Sequence, residues 1–276
     1  MIRHRRGREF FLFKQNDHAL LSGQLAERIG GGPLDRPSPK TIQAIALHDS
    51  GWPLHDDAPT LNARGESLHV FETPPQIGTR VWAASAQRAA AVDPYCGLLV
   101  SLHVLHLSLM SQAAHQTGHD VFELNKFQHG QIELQEQLRP QVGLRIDRPL
   151  THGLAAAGES PQEDQLRSDF QLLRAMDALS LALLCSEEMA ETTDTLPTTR
   201  NGGAVTIKAR RHAEFTLVLS PWIFSAESIE LPISFRRVTA APFTTLDEFR
   251  MAYAKGPVES ANVRILSQMF ATNGTS

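Results

Sequence analysis

Residues 44–52 read Ala44-Ile45-Ala46-Leu47-His48-Asp49-Ser50-Gly51-Trp52. The run starts as an apolar helical segment, ends on a histidine beside an aspartate, and breaks at Ser50-Gly51. Upstream, Ser38 stands as a cap and Pro39 at the first helical position, where proline's fixed φ and missing N–H cost nothing. The spacing therefore predicts a helix from Ser38 to about Asp49. An imidazole and a carboxylate side by side at a helix end can offer two ligand atoms to one cation.

Three other predicted helices carry a polar residue in an apolar stripe. A helix returns to the same face at i+3, i+4 and i+7. His18 shares a face with Leu21, Leu25 and Ile29; His103 aligns with Leu99, His106, Leu107 and Met110; Asp177 aligns with Phe170, Leu173, Leu181 and Leu184. A carboxylate in such a stripe is costly unless paired, hydrogen-bonded or metal-bound. For Asp177 two readings stand side by side, a salt bridge to Arg174 and a metal ligand. For His18 and His103 the alternative is an ordinary hydrogen-bonded histidine. Taken together, the residues point to a shared site of imidazoles and carboxylates, a donor set that suits zinc, iron or manganese.

The rest of the chain frames this site. With 276 residues and 42% hydrophobic content, the chain can bury a substantial core. Its net charge of -4 gives no reason to expect a nucleic-acid partner. The basic run Arg3, His4, Arg5, Arg6, Arg8 reads as a solvated terminus. Cys96 and Cys185 sit in apolar helical runs as buried free thiols, the state expected of a reducing cytoplasm. The most apolar stretch, Cys96 to Met110, is too short for a bilayer span, so no membrane partner is expected.

Along the chain, residues 8–14 read as a strand, followed by a helix capped by Asn16 or Asp17 and running to about Ile29. Residues 50–76 read as a long loop. Helices follow at about 77–92, 94–115 and 121–139, then an irregular stretch over 141–159. Ser160-Pro161-Gln162-Glu163 reads as a capping box opening a helix to about Ala190. Thr192 to Gly203 reads as a polar turn. Strands are expected at 205–209, 215–219 and 229–235, with Pro232 demoting the last to an edge, and helices at about 245–254 and 258–270. The predicted fold is therefore mostly α, an HD-like helical bundle with a small antiparallel β lobe formed mainly by the C-terminal third. Residues 1–192 form the metal-site domain and 193–276 the lobe packed on it as one compact unit.

The order His18, His48-Asp49, Asp177 resembles the signature of the HD-domain superfamily of metal-dependent phosphohydrolases. His103 resembles the extra histidine of its dinuclear subgroups. The phrases Gln15-Asn16-Asp17-His18, His48-Asp49-Ser50-Gly51-Trp52, Ala58-Pro59-Thr60-Leu61, Asp93-Pro94-Tyr95 and Ser101-Leu102-His103 are similar to an uncharacterised bacterial family catalogued as a domain of unknown function. The HD resemblance implies that His18, His48, Asp49, His103 and Asp177 hold a divalent metal (Fe, Mn, Zn, Mg or Co), with Asp49 and His103 closest to the chemistry. It implies hydrolysis of a small, phosphorylated substrate by a metal-activated water. Lys14, Trp52, His55 and Arg80 are candidates to touch that substrate. The further histidines of dinuclear subgroups have no secure match; His106, His115, His119 and His69 are candidates. Two alternatives stay open: a di-iron oxygenase of the HD type, and a non-catalytic ligand-binding module with a degenerate site. Substrate identity and oligomeric state stay open as well.

Overall fold

The computed structural model describes residues 1–114, 117–144, 160–185, 189–197 and 203–271. His115 and most of the stretch 141–159 lie outside them. The chain opens with a hairpin of β1 (Ile2–Arg6) and β2 (Glu9–Phe13), then enters helices α1 (Gln15–Glu27), α2 (Pro39–Leu47) and the short α3 (Pro53–Asp56). Helices α4 (Pro75–Val92), α5 (Pro94–Ala114), α6 (Gly118–Leu138) and α7 (Pro161–Leu184) follow. The chain then runs through β3 (Glu191–Pro197), β4 (Ala204–Ala213), β5 (Thr216–Ser220), β6 (Ser228–Thr239), α8 (Leu246–Lys255), β7 (Val258–Ser267) and α9 (Gln268–Ala271).

The strands form one sheet in the order β1-β2-β6-β7-β5-β4-β3. Neighbours are antiparallel except β5 and β7, which run parallel with Thr216 opposite Arg264. The sheet curls into half a barrel, and the molecule is 53% helix and 24% strand. This corrects the expectation of a mostly α bundle with a small antiparallel lobe. Three segments account for the difference. Arg3 and His4 are buried in β1 because each finds partners: Arg3 donates to the Ser67 carbonyl at 2.5 Å, and His4 bonds the Leu184 carbonyl at 3.0 Å. Burial of charge is tolerable on those terms, but composition alone reads as a solvated terminus. The stretch 191–197, expected to be a turn, is the edge strand β3; its threonine-rich sequence is held by pairing with β4, not by a core stripe. The stretch 258–267, expected to be helical, is β7, where Val263 and Ile265 are buried and Arg264 is exposed between them.

Pro232 sits in β6, an inner strand. It faces Asn262 of β7, whereas β2 pairs only with residues 236–239. The proline half of β6 is thus locally an edge, which is where a missing N–H does no harm.

Successive residues of β2 serve two cores, as the period of two requires. Phe11 and Phe13 join the main cluster with residues of α1, α2, α4, α5, α7 and the strands. Phe10 and Leu12 meet Val238, Phe249 and Tyr253 under α8. The main cluster draws on residues from Ile2 to Ile265, on both sides of position 192.

α7 is the strut that fixes the rest. Ser160 accepts from the Glu163 N–H at 3.2 Å, with Pro161 at the first position, as the capping residues predict. Buried Asp169 accepts from the Tyr95 hydroxyl (2.6 Å), Thr41 Oγ1 (2.9 Å) and Gln165 Nε2 (3.0 Å), joining α7 to the starts of α5 and α2. At its other end Arg211 of β4 donates to the Ala182 and Cys185 carbonyls at 2.5 Å. Together with His4, this satisfies carbonyls a helix end leaves open. The helix ends at Leu184, short of Ala190, because Cys185 turns extended.

By length and composition α5 could cross a membrane over Pro94–Ala113, yet 61% of its apolar window is buried within the fold. It packs against α2, α4, α6 and α7, as a core helix does.

Candidate metal centre

Four elements bring five donors to one place. His18 lies in the first turns of α1, His48 caps α2 with Asp49 in the turn beyond, His103 sits midway along α5 and Asp177 in α7. Close approach of α1 and α2 requires a glycine: a Cβ on Gly23 would stand 2.6 Å from the Ala46 Cβ. Gly51 plays the same part for the loop after Asp49, since a Cβ there would strike the Val81 carbonyl oxygen. Its N–H donates to Ser85 Oγ at 2.8 Å, and Arg88 holds the Ser50 carbonyl.

The ligand atoms converge. His18 Nε2 lies 3.1 Å from His48 Nε2 and 3.1 Å from Asp177 Oδ1. His48 Nε2 is 3.5 Å from the same oxygen. Asp49 Oδ2 stands 3.7 Å from His18 Nε2 and 3.8 Å from His48 Nε2. His103 Nε2 is 3.5 Å from Asp177 Oδ2. Donors about 2.1 Å from a common ion stand roughly 3.0–3.4 Å apart at tetrahedral or octahedral angles. The spacings are of that order. The described residues contain two overlapping triads, His18-His48-Asp49 and His48-His103-Asp177, that share His48.

Outer hydrogen bonds set which nitrogens point inward. His48 Nδ1 donates to the Ile45 carbonyl at 2.7 Å, leaving Nε2 as the lone-pair face. His18 Nδ1 lies 2.6 Å from Ser180 Oγ. With the one proton of that hydroxyl given to the Asp177 carbonyl (2.9 Å), His18 Nδ1 is the donor and its Nε2 faces inward as well. Two ring nitrogens 3.1 Å apart repel unless a cation or a proton lies between them. Outer partners that fix the tautomer in this way are usual around metal-ligating histidines.

Electrostatics agree. Burial disfavours charge on His48, but Asp49 and Asp177 outweigh it and raise its pKa to about 9. Burial pushes the Asp49 carboxyl up despite His48 and His18. Burial also works against the Asp177 carboxylate, yet with a proton rather than a cation between the rings, hydrogen bonds from His18 and His48 hold it well below the usual range. Burial lowers His103 to about 3, with His48, His106 and Arg174 acting in the same direction. Neutral His103 is buried with neither ring nitrogen hydrogen-bonded. An imidazole with no hydrogen bond of its own, 3.5 Å from the Asp177 carboxylate, is a ready ligand, so the residues fit a divalent ion.

The other candidates lie elsewhere or at the margin. Lys14 pairs with Asp57 at 2.8 Å. Trp52 is fully buried against His55, ring centroids 5.9 Å apart. Burial lowers His55 to about 4, with the chain's amino group and Arg80 adding to it. Arg80 lines a surface groove with Gln76, Glu123 and Lys126. His69 caps the 3-10 turn at Val70–Glu72, and His119 is exposed. His106 packs its ring edge on Phe170, one turn beyond His103. Ser22 and Ser180 escaped the sequence reading. Their signal was their placement, one turn after His18 and one turn after Asp177 on otherwise apolar helices.

A family model matches residues 1–240, a span that holds all five donors. The chain belongs to the DUF3891 family. The family is described as a protein of unknown function, so membership in DUF3891 brings no activity with it. No curated protein and no solved structure matches the chain.

Proposed function

We propose that the protein is a metal-dependent hydrolase acting on a phosphate ester, with His18, His48, Asp49 and Asp177 holding a divalent ion and His103 completing its shell. The observation that carries the proposal is the convergence of the Nε2 atoms of His18 and His48, 3.1 Å apart and facing Asp177. A divalent ion there supplies Lewis acidity, polarising a phosphoryl oxygen and making water nucleophilic near neutral pH.

The chain's own residues do the rest. The Ile45 carbonyl and Ser180 orient the two imidazoles. The Asp49 carboxylate oxygen not turned to the ion would accept a proton from a water beside it. The apolar walls of α5 and α7 keep bulk water away from the charges. The buried free thiols are in keeping with a cytoplasmic setting.

The test is reconstitution with Mn, Fe, Zn, Mg and Co, followed by elemental analysis and a screen of nucleotides and other phosphomonoesters. One ion per chain is expected, lost in His48→Ala and Asp177→Ala, with phosphatase activity that follows metal content. Absence of bound metal in every case, or unchanged metal in both variants, sinks the proposal. Metal without phosphatase activity, with an iron-dependent visible spectrum and oxygen uptake, identifies the oxygenase alternative instead.

A further inference from the structure

Arg174 stands one turn before Asp177 on α7, on the same side of the helix, where Cβ atoms lie about 5–6 Å apart. It is half-buried, with its guanidinium 5.9 Å from the centre of the Phe170 ring. Among the described residues no carboxylate lies within ion-pair distance of it, and it has no hydrogen bond. The salt bridge to Asp177 that the sequence allowed is not made; Asp177 turns to the three histidines instead. Arg174 is still close enough to act on His103 and on Asp194 of β3. A guanidinium held over an aromatic ring, beside a cluster of inward-facing donors and, among the described residues, in no ion pair, has the geometry of an anion receptor. Its planar fork matches a phosphoryl group, and arginine is less strongly hydrated than lysine in this role.

We propose that Arg174 is the residue that grips the phosphoryl group of the substrate at the rim of the metal centre, with Phe170 as the platform that holds the guanidinium in place. The proposal builds on the hydrolase reading above. It adds which side chain selects for phosphate. Asp194 and His106 border the same rim, and the carboxylate of Asp194 disfavours a substrate carrying further negative charge on that side.

The experiment is calorimetric titration of inorganic phosphate into the full chain, manganese-loaded and metal-free, for wild type, Arg174→Gln and Arg174→Lys. Metal content and thermal midpoint are measured in parallel. Phosphate binding is expected in wild type and at least tenfold weaker in Arg174→Gln, with an intermediate loss in Arg174→Lys. Metal content should be unchanged throughout. Equal phosphate affinity in wild type and Arg174→Gln overturns the proposal, and so does a wild type that binds phosphate in neither form. A chain that takes up no manganese counts against the metal reading alone; loss of phosphate binding in metal-free Arg174→Gln still supports the arginine. Should Arg174→Gln unfold, Arg174→Lys decides, since undiminished phosphate affinity there rules out a forked contact.

Discussion

Ser180 is a small residue with a large expected effect. It holds His18 Nδ1 at 2.6 Å and so aims Nε2 at the centre. Outer partners of this kind change metal affinity by roughly 10–100-fold when removed. Ser180→Ala should therefore weaken manganese binding by about that factor while the fold persists, and Ser180→Thr should restore part of it; titration with a fluorescent competitor reads both. Unchanged affinity in Ser180→Ala would show that packing alone orients His18. His48 gives the pH dependence. In the metal-free protein its pKa stands at about 9 against an ordinary 6.5. A raised value means stability that is complete below 6.5 and lost as pH rises through 9. Melting in chelator across that window should fall for wild type and be flatter for His48→Gln. Metal competes with the same proton, so manganese affinity should climb over the same range. The individual donors were legible in sequence because each interrupts an apolar stripe. Ser180 was not, since a serine on a helix is unremarkable until its neighbours in space are known, and Arg174 stood out only as a partner for Asp177, an ion pair that is not made.

At the scale of elements, the site depends on how closely α1 and α2 cross. Gly23 faces Ala46 with no room for a methyl group. Gly23→Ala should cost about 1–3 kcal/mol, the usual range for overpacking, and lower metal affinity by spreading His18 from His48. The double variant Gly23→Ala/Ala46→Gly should recover most of both, measured by chemical denaturation and metal titration. A single variant as stable as wild type would mean that the helices part at no cost. The helices themselves were readable from capping residues: Ser38-Pro39 and Ser160-Pro161 start α2 and α7 where expected. The strands were less so. β3 carries no apolar stripe, β1 hides its burial under arginine and histidine, and β7 buries only Val263, Ile265 and Ser267. Their conformation is decided by neighbouring strands, and single-sequence periodicity cannot see those.

At the scale of the molecule, one hydrophobic cluster joins the helices to the sheet. Unfolding should therefore be a single cooperative transition, with far-ultraviolet dichroism and tryptophan fluorescence moving together. Ile265→Ala, in a fully buried position of β7, should cost about 2–5 kcal/mol and shift that one transition without splitting it. Two separated transitions would instead show that the sheet and the helical layer are independent units.

The place of β7 has a consequence for how the polypeptide is made. Among the described residues it is the last strand in chain order, yet it lies between β6 and β5. As the ribosome works, β1-β2-β6 and β5-β4-β3 emerge as two separate ribbons, each with an open edge of unpaired amides and carbonyls. Only residues 258–267 can seal them together. A message cut short before that point yields a chain with two exposed edges, the kind of surface that templates aggregation and that chaperones must cover. The sheet thus stays open until translation has passed residue 267.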